Sequence, residues 1–111
     1  MADGISLSLS RKDENEGGWE RSHLHRTLHE IYAVISGKIW IYEYGDHGLH
    51  VVELNPGQCH SVEPEVPHNI YTTPGTRLSV TKIPSREGAS KDDWHPTKFL
   101  DEHLPPHPPG L

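Results

Sequence analysis

Apolar and polar residues alternate with period two in the run Ile5-Ser6-Leu7-Ser8-Leu9-Ser10. Successive side chains of a strand point to opposite faces, so this run predicts a first strand with its aliphatic side chains on one face. Residues 11–18 are charged and end in Gly17-Gly18, the composition of a turn or loop. From Glu30 onward, short β-rich bursts follow one another between turn residues. Glu30 to Ile35 and Lys38 to Tyr44 are rich in β-branched and aromatic residues, and Ser36-Gly37 between them reads as a hairpin. Gly45 to Gly48 makes the next turn, before a strand over Leu49 to Leu54. Asn55-Pro56-Gly57 turns the chain again, because Pro presets the first φ and Gly accepts a positive one. Gln58 to Val62, Pro67 to Thr73 and Arg77 to Ile83 complete the series. No long central stretch carries a 3.6-residue period, so an all-β antiparallel sandwich or barrel is predicted.

The last third differs. Residues 90–104 have room for one short helix, with Ser90 and Asp93 at capping-box spacing, but Pro96 interrupts it. Pro105-Pro106-His107-Pro108-Pro109 cannot continue a helix and predicts an extended tail. The 111 residues suit one domain spanning the whole chain, with its core at about 17–83 and a C-terminal extension over 84–111.

Charge narrows the partners. Sixteen Asp and Glu against ten Lys and Arg give a net charge of −6, without the basic cluster that a nucleic-acid binder needs to displace counterions. The longest apolar run, Ile31 to Ile35, is far short of the roughly 20 residues that cross a bilayer. Met1-Ala2-Asp3-Gly4 has neither a basic nor an apolar leader character, so a cytoplasmic location is expected. The lone Cys59 has no partner for an internal disulfide and is expected to be a buried, small apolar residue. A small chain with 32% hydrophobic residues buries limited surface, which points to a metal or a homodimer as added support. Trp40, Tyr42 and Tyr44 form an aromatic stripe opposite Ile39 and Ile41, suited to core or dimer packing.

The informative segment is His23-Leu24-His25-Arg26-Thr27-Leu28-His29-Glu30. Residues i and i+2 of a strand share a face, so His23 and His25 can aim two imidazoles into one cavity. Glu30 can add a carboxylate from the next strand, and His68, after Pro67, can close the set from another. His29 competes with Glu30, but alternation sends the two to opposite faces.

These residues resemble the cupin superfamily. Gly17, five residues, His23-x-His25, four residues, Glu30, six residues and Gly37 match the first cupin motif. Gly57, ten residues and His68 match the Gly-to-His spacing of the second. The resemblance covers Gly17 to Ile83 and implies a small antiparallel jelly-roll barrel, or double-stranded β-helix, with metal ligands at His23, His25, Glu30 and His68. The second motif departs from the pattern in its Pro, which falls one residue late at Pro64, and in Glu65 and Thr72, where Gly and Asn are usual.

Three neutral imidazoles and one carboxylate leave about one positive charge on a divalent ion, which favours an anionic or chelating small molecule as substrate. Such mixed N/O ligation suits Fe, Mn, Ni, Co or Zn. On an octahedral ion two adjacent positions stay open, for a bidentate substrate or for a substrate atom and dioxygen. The resemblance to small cupins favours a dioxygenase-type oxidoreductase. The alternatives are a non-redox isomerase, lyase or epimerase, and a non-catalytic cupin that binds a sugar or carboxylate. Candidate proton-transfer groups are Tyr32, Tyr71, His60 and Glu63, with Tyr32 sharing the face of Glu30. Arg26, Arg77 and Lys82, and the tail residues His95, His103 and His107, are expected to face solvent.

Overall fold

The computed structural model describes residues 6–11, 17–85 and 93–111. The predicted strands form at nearly the expected bounds: β1 (Ser6–Arg11), β4 (Leu28–Ser36), β5 (Ile39–Gly45), β6 (Gly48–Leu54), β7 (Cys59–Val62), β8 (His68–Thr72) and β9 (Arg77–Pro84). Three two-residue strands join them, β2 (Gly18–Trp19), β3 (His23–Leu24) and β10 (His95–Pro96). They are too short to show a hydrophobic period, so local sequence does not announce them.

All pairings are antiparallel and make two sheets. One has the order β1-β9-β4-β7; the other runs β10-β3-β8-β5-β6, with β2 also on β8, so β4 and β5 do not pair and Ser36-Gly37, expected to close a hairpin, instead turns the chain from one sheet into the other. Strand alternation decides what lies between them. Tyr32, Val34, Ile39, Ile41, Leu54, Val62, Ile70 and Leu78 form the core, each at most 6% exposed. The result is the expected all-β jelly-roll architecture, with hydrogen bonding that stays in two facing sheets. Among the described residues no helix is long and apolar enough to cross a membrane.

The same alternation corrects one expectation. Val62 points inward, so on β7 His60 shares its face while Cys59 points out, and Cys59 is exposed. Its thiol is not part of the core.

The outer face of the six-stranded sheet carries the aromatic stripe. Trp19 meets Tyr42 and Tyr71 edge-on at 5.0 and 5.1 Å, and Trp40 meets Tyr71 at 5.9 Å. The C-terminal residues cover this cluster. The only described helix is α1 (Lys98–Asp101), which begins after Pro96, where a proline no longer blocks helical bonding. The predicted extended tail instead bends back. Trp19 Nε1 donates to the carbonyls of Pro105 and Pro106 at 3.1 and 3.2 Å, and Pro108 is buried. Proline lacks an N–H but keeps its carbonyl, so the half-buried Trp19 indole N–H is a fitting partner.

Tyr42 is 2% exposed, and its hydroxyl has no hydrogen-bond partner among the described residues. Burial raises its pKa above the ordinary 10.0. The stability tied to the neutral phenol is therefore full below pH 10 and is lost as pH rises through the raised folded value. Tyr42→Phe is expected to gain about 1 kcal/mol at neutral pH, because an unsatisfied buried hydroxyl disappears, and to soften the alkaline loss. Urea unfolding at pH 7 and above pH 10 checks both, and a destabilised variant would show that the hydroxyl is satisfied.

Candidate metal centre

Glu30 is the hub. It lies on β4 between Leu28 and Tyr32, all three inward and at most 4% exposed, so the strand period delivers its carboxylate to the interior. His23 sits on β3 in register with His68 on β8, which places those two rings side by side, 4.3 Å between centroids. His25 follows β3 at the next same-face position. The Nε2 atoms of His68, His25 and His23 reach Glu30 Oε1 at 2.8, 3.0 and 3.5 Å. One ligand atom from each of the four residues lies within 4.8 Å of the others. Metal–donor bonds of about 2.1 Å put right-angled donors about 3.0 Å apart, so these spacings fit one shared cation.

The other nitrogen of each ring is equally informative. His23 Nδ1 lies 2.7 Å from the Arg21 carbonyl, His68 Nδ1 lies 2.9 Å from the Val66 carbonyl, and His25 Nδ1 meets the Asp93 carbonyl. A carbonyl only accepts, so each Nδ1 carries the proton, and in a neutral ring Nε2 presents its lone pair. The rings thus have two states that suit their surroundings. Each can be an imidazolium donating to Glu30, or a neutral ring offering Nε2 to a metal ion.

Burial alone pushes the Glu30 carboxyl up, but hydrogen bonds from His23, His25 and His68 outweigh it and hold the group far below the carboxylate range. Glu30 is ionised. Burial likewise pushes His25 down, and hydrogen bonds to Glu30 and the Asp93 carbonyl turn the net shift upward. Tyr32 donates its hydroxyl to Glu30 Oε1 at 3.0 Å. Burial, then the Glu30 charge, raises the phenol well above its ordinary 10.0, so it stays a neutral donor.

A cavity of about 470 Å³ adjoins the cluster, within the size range of small-molecule sites. His23 and Tyr32 lie on its polar side, Ile70, Leu78 and Val80 form an apolar wall, and Arg21 and Trp94 also line it. Glu65, at the position where the resemblance leads one to expect glycine, takes the left-handed φ of 67° itself, and its N–H donates to the His25 carbonyl at 2.5 Å. The unusual residue preserves the turn that carries the chain toward His68.

Other candidates sit elsewhere. Tyr71 faces away from His68 and packs against Trp19 and Trp40, outside the cavity. His60 points inward but pairs with Glu43 across the two sheets. Glu63 pairs with His29 at 3.0 Å on the outward side of β4, as alternation requires of His29. Arg26 and Arg77 are exposed, whereas Lys82 lies on the inward side of β9 and its charge reaches His25. His95 is not simply solvent-facing, because its Nε2 is 2.7 Å from Asp93 Oδ1.

Asp93 and Trp94 have no chemical signal in the sequence that ties them to the histidines. Asp93 does not act as a helix cap; Ser90, its expected partner, lies outside the described residues. Its Oδ2 accepts from Arg26 N, Thr27 N and Thr27 Oγ1 at 2.8, 2.6 and 2.8 Å. Burial raises its pKa, but these bonds and His95 outweigh burial and hold it at about 2. Trp94 stacks on His23 with centroids 5.4 Å apart and planes 24° apart.

No protein-family profile matches the chain, and no curated protein matches its sequence. Solved structures do match its fold. A double mutant of the 3,4-ketoisomerase QdtA from Thermoanaerobacterium thermosaccharolyticum, in complex with TDP, superposes with a TM-score of 0.66 at 22% identity, over 87% of this chain and 70% of that one. WlaRA, a TDP-fucose-3,4-ketoisomerase from Campylobacter jejuni, gives 0.67 at 10% identity over 86% and 69%. Oxalate decarboxylase from Bacillus subtilis gives 0.67 at 16% identity over 91% of this chain, which spans only 26% of that protein. These neighbours are cupin-fold proteins, and this chain, with its two facing antiparallel sheets, has the cupin fold.

Proposed function

We propose that this chain is a metal-dependent enzyme acting on a small anionic or chelating organic molecule, with His23, His25, Glu30 and His68 as the metal ligands. The observation that carries this reading is the anchoring of three Nδ1 atoms on backbone carbonyls, which leaves three Nε2 atoms converging on Glu30 beside a cavity. A bound divalent ion supplies Lewis acidity there, and a redox-active one such as iron also supplies a route for electrons to dioxygen. The chain's own groups do the rest. Tyr32 holds Glu30 in place through its hydroxyl, Arg21 beside Glu20 offers a cation at the cavity rim, and Ile70, Leu78 and Val80 offer an apolar surface to the substrate's carbon skeleton. An apolar wall beside the four groups favours a dioxygenase-type oxidoreductase, because it suits both dioxygen and the carbon skeleton of an organic substrate.

A second reading, a non-redox isomerase or lyase, is supported by the ketoisomerase and decarboxylase neighbours, with Tyr32 serving as a neutral phenol at the cavity wall that keeps Glu30 ionised and oriented. The test is elemental analysis of untagged protein purified anaerobically, then oxygen uptake on addition of catechol and β-diketone probes. Iron with oxygen consumption is expected. Zinc or manganese, with solvent-deuterium exchange into keto sugars and no oxygen uptake, would replace the first reading by the second. Ligand binding without turnover would leave a binding cupin, and protein that retains no metal would end the enzymatic proposal.

The whole chain is proposed to act as one domain and as a homodimer. Leu7 and Leu9 support the latter, since they are 65% and 71% exposed on β1, side by side with outward positions of β9.

A further inference from the structure

Asp93 lies 68 residues beyond His25 in sequence, and the segment it opens grips both halves of the His-x-His pair. Its carbonyl accepts from His25 Nδ1, and its side chain fastens that carbonyl in place. Oδ2 takes three hydrogen bonds from the Arg26-Thr27 turn, directly after His25, while Oδ1 meets His95. Trp94 then stacks on His23, the least buried of the four clustered side chains at 12% exposure. Beyond it, His95 and Pro96 pair in register with Leu24 and His23, and Thr97 N donates to the Ser22 carbonyl at 3.0 Å.

Resting on the metal-centre reading, we infer that Asp93 and Trp94 are positioning residues of that centre, set by the C-terminal segment: Asp93 fixes the tautomer of His25 and Trp94 fixes the ring plane of His23. The physical need is specific to each ring. A neutral imidazole can protonate either nitrogen, and only the Nδ1–H form leaves Nε2 free to ligate, so the acceptor at Nδ1 selects the ligating form. His23 has its own acceptor in Arg21 but little side-chain packing, and the indole supplies a flat wall that restricts the ring. Outer-shell partners of this type are worth about 10- to 100-fold in metal affinity.

The test uses the full chain and cobalt(II). Titration followed by visible absorption gives the affinity, tryptophan fluorescence reports Trp94, and long-range nitrogen–proton NMR of the zinc-loaded protein reports which ring nitrogen of each histidine keeps its proton. Asp93→Ala is expected to weaken cobalt binding about 10- to 100-fold and to turn His25 from a single Nδ1–H form into a mixture, while Asp93→Asn restores most of both. Trp94→Ala is expected to weaken binding several-fold. Trp94→Phe keeps a ring against His23, so it should keep the affinity but lose the cobalt-induced quenching, since Trp19 and Trp40 lie on the outer face. Natural-sequence protein that binds cobalt, with Asp93→Ala and Trp94→Ala binding within twofold and the His25 tautomer unchanged, would overturn this inference alone. Natural-sequence protein that binds no cobalt would overturn the metal-centre reading together with it. If Asp93→Ala fails to fold, Asp93→Ser, which shortens the acceptor away from the Arg26-Thr27 turn, decides the His25 half and the two Trp94 variants decide the His23 half.

Discussion

Glu30→Ala is expected to lower divalent-metal retention by at least about 100-fold, more than loss of an outer-shell group does, whereas His29→Ala leaves it within about twofold. The two residues are neighbours in sequence and opposites in space. Glu30 is 4% exposed and faces three Nε2 atoms, while His29 points outward to the exposed Glu63. Removing the carboxylate takes away the only anion of the cluster, so any ion left there keeps its full charge against three neutral rings in a poorly solvated interior. Substitution of His29 removes a surface pair, which contributes at most about 1 kcal/mol to stability and nothing to ligation. Equilibrium dialysis against a chelator of known affinity measures both variants. Equal retention by the two, or greater loss from His29→Ala, would refute the ligand assignment.

Gly37→Ala is expected to cost about 3 kcal/mol or more of folding stability, read as a lower urea midpoint at unchanged slope. Gly37 closes the turn between β4 and β5 with φ of 89°, a conformation that L side chains rarely adopt. Space is lacking as well. A Cβ there would lie 2.2 Å from Thr76 Oγ1 and 2.8 Å from Thr76 Cα. Thr76 cannot easily withdraw, since it is 0% exposed and its hydroxyl accepts from Lys38 N at 3.2 Å and bonds Thr73 Oγ1 at 2.6 Å. The turn carries the chain from β4, with Glu30 and Tyr32, to β5 of the other sheet, with Ile39 and Ile41, so strain there is felt by both core and cluster. A loss below about 1 kcal/mol would mean that the turn relaxes and that its tight approach to Thr76 is not structurally required.

Strands with a clear apolar alternation were legible because their pattern and their burial have a common cause, the two faces of a pleated chain. Glu30 and Tyr32 inward with His29 outward, and Ile39 and Ile41 inward with Trp40 and Tyr42 outward, follow from that period alone. The two-residue strands β2, β3 and β10 were not legible, since two residues hold no period and their pairing partners lie far along the chain. Cys59 shows the limit of composition. A lone cysteine is usually buried, but here alternation from Val62 sets it facing out. Tyr71 and His60 show the limit of residue type, since both can transfer protons but one faces the aromatic cluster and the other is occupied by Glu43.

Sequence by itself therefore determined the all-β class and which residues of a strand share a face, because spacing along a strand translates directly into facing, while the joining of His68 to His23, His25 and Glu30 was implied by the resemblance to cupin motif spacing. Only the tertiary structure decided what holds those groups. The carbonyl of Asp93 at His25, the indole of Trp94 on His23 and the fold-back of the proline tail under Trp19 are contacts between distant segments. Such contacts depend on where a backbone atom or a flat ring ends up after the sheets close. A main-chain carbonyl is the same in every residue, so no pattern of side chains can mark the one that selects a histidine tautomer.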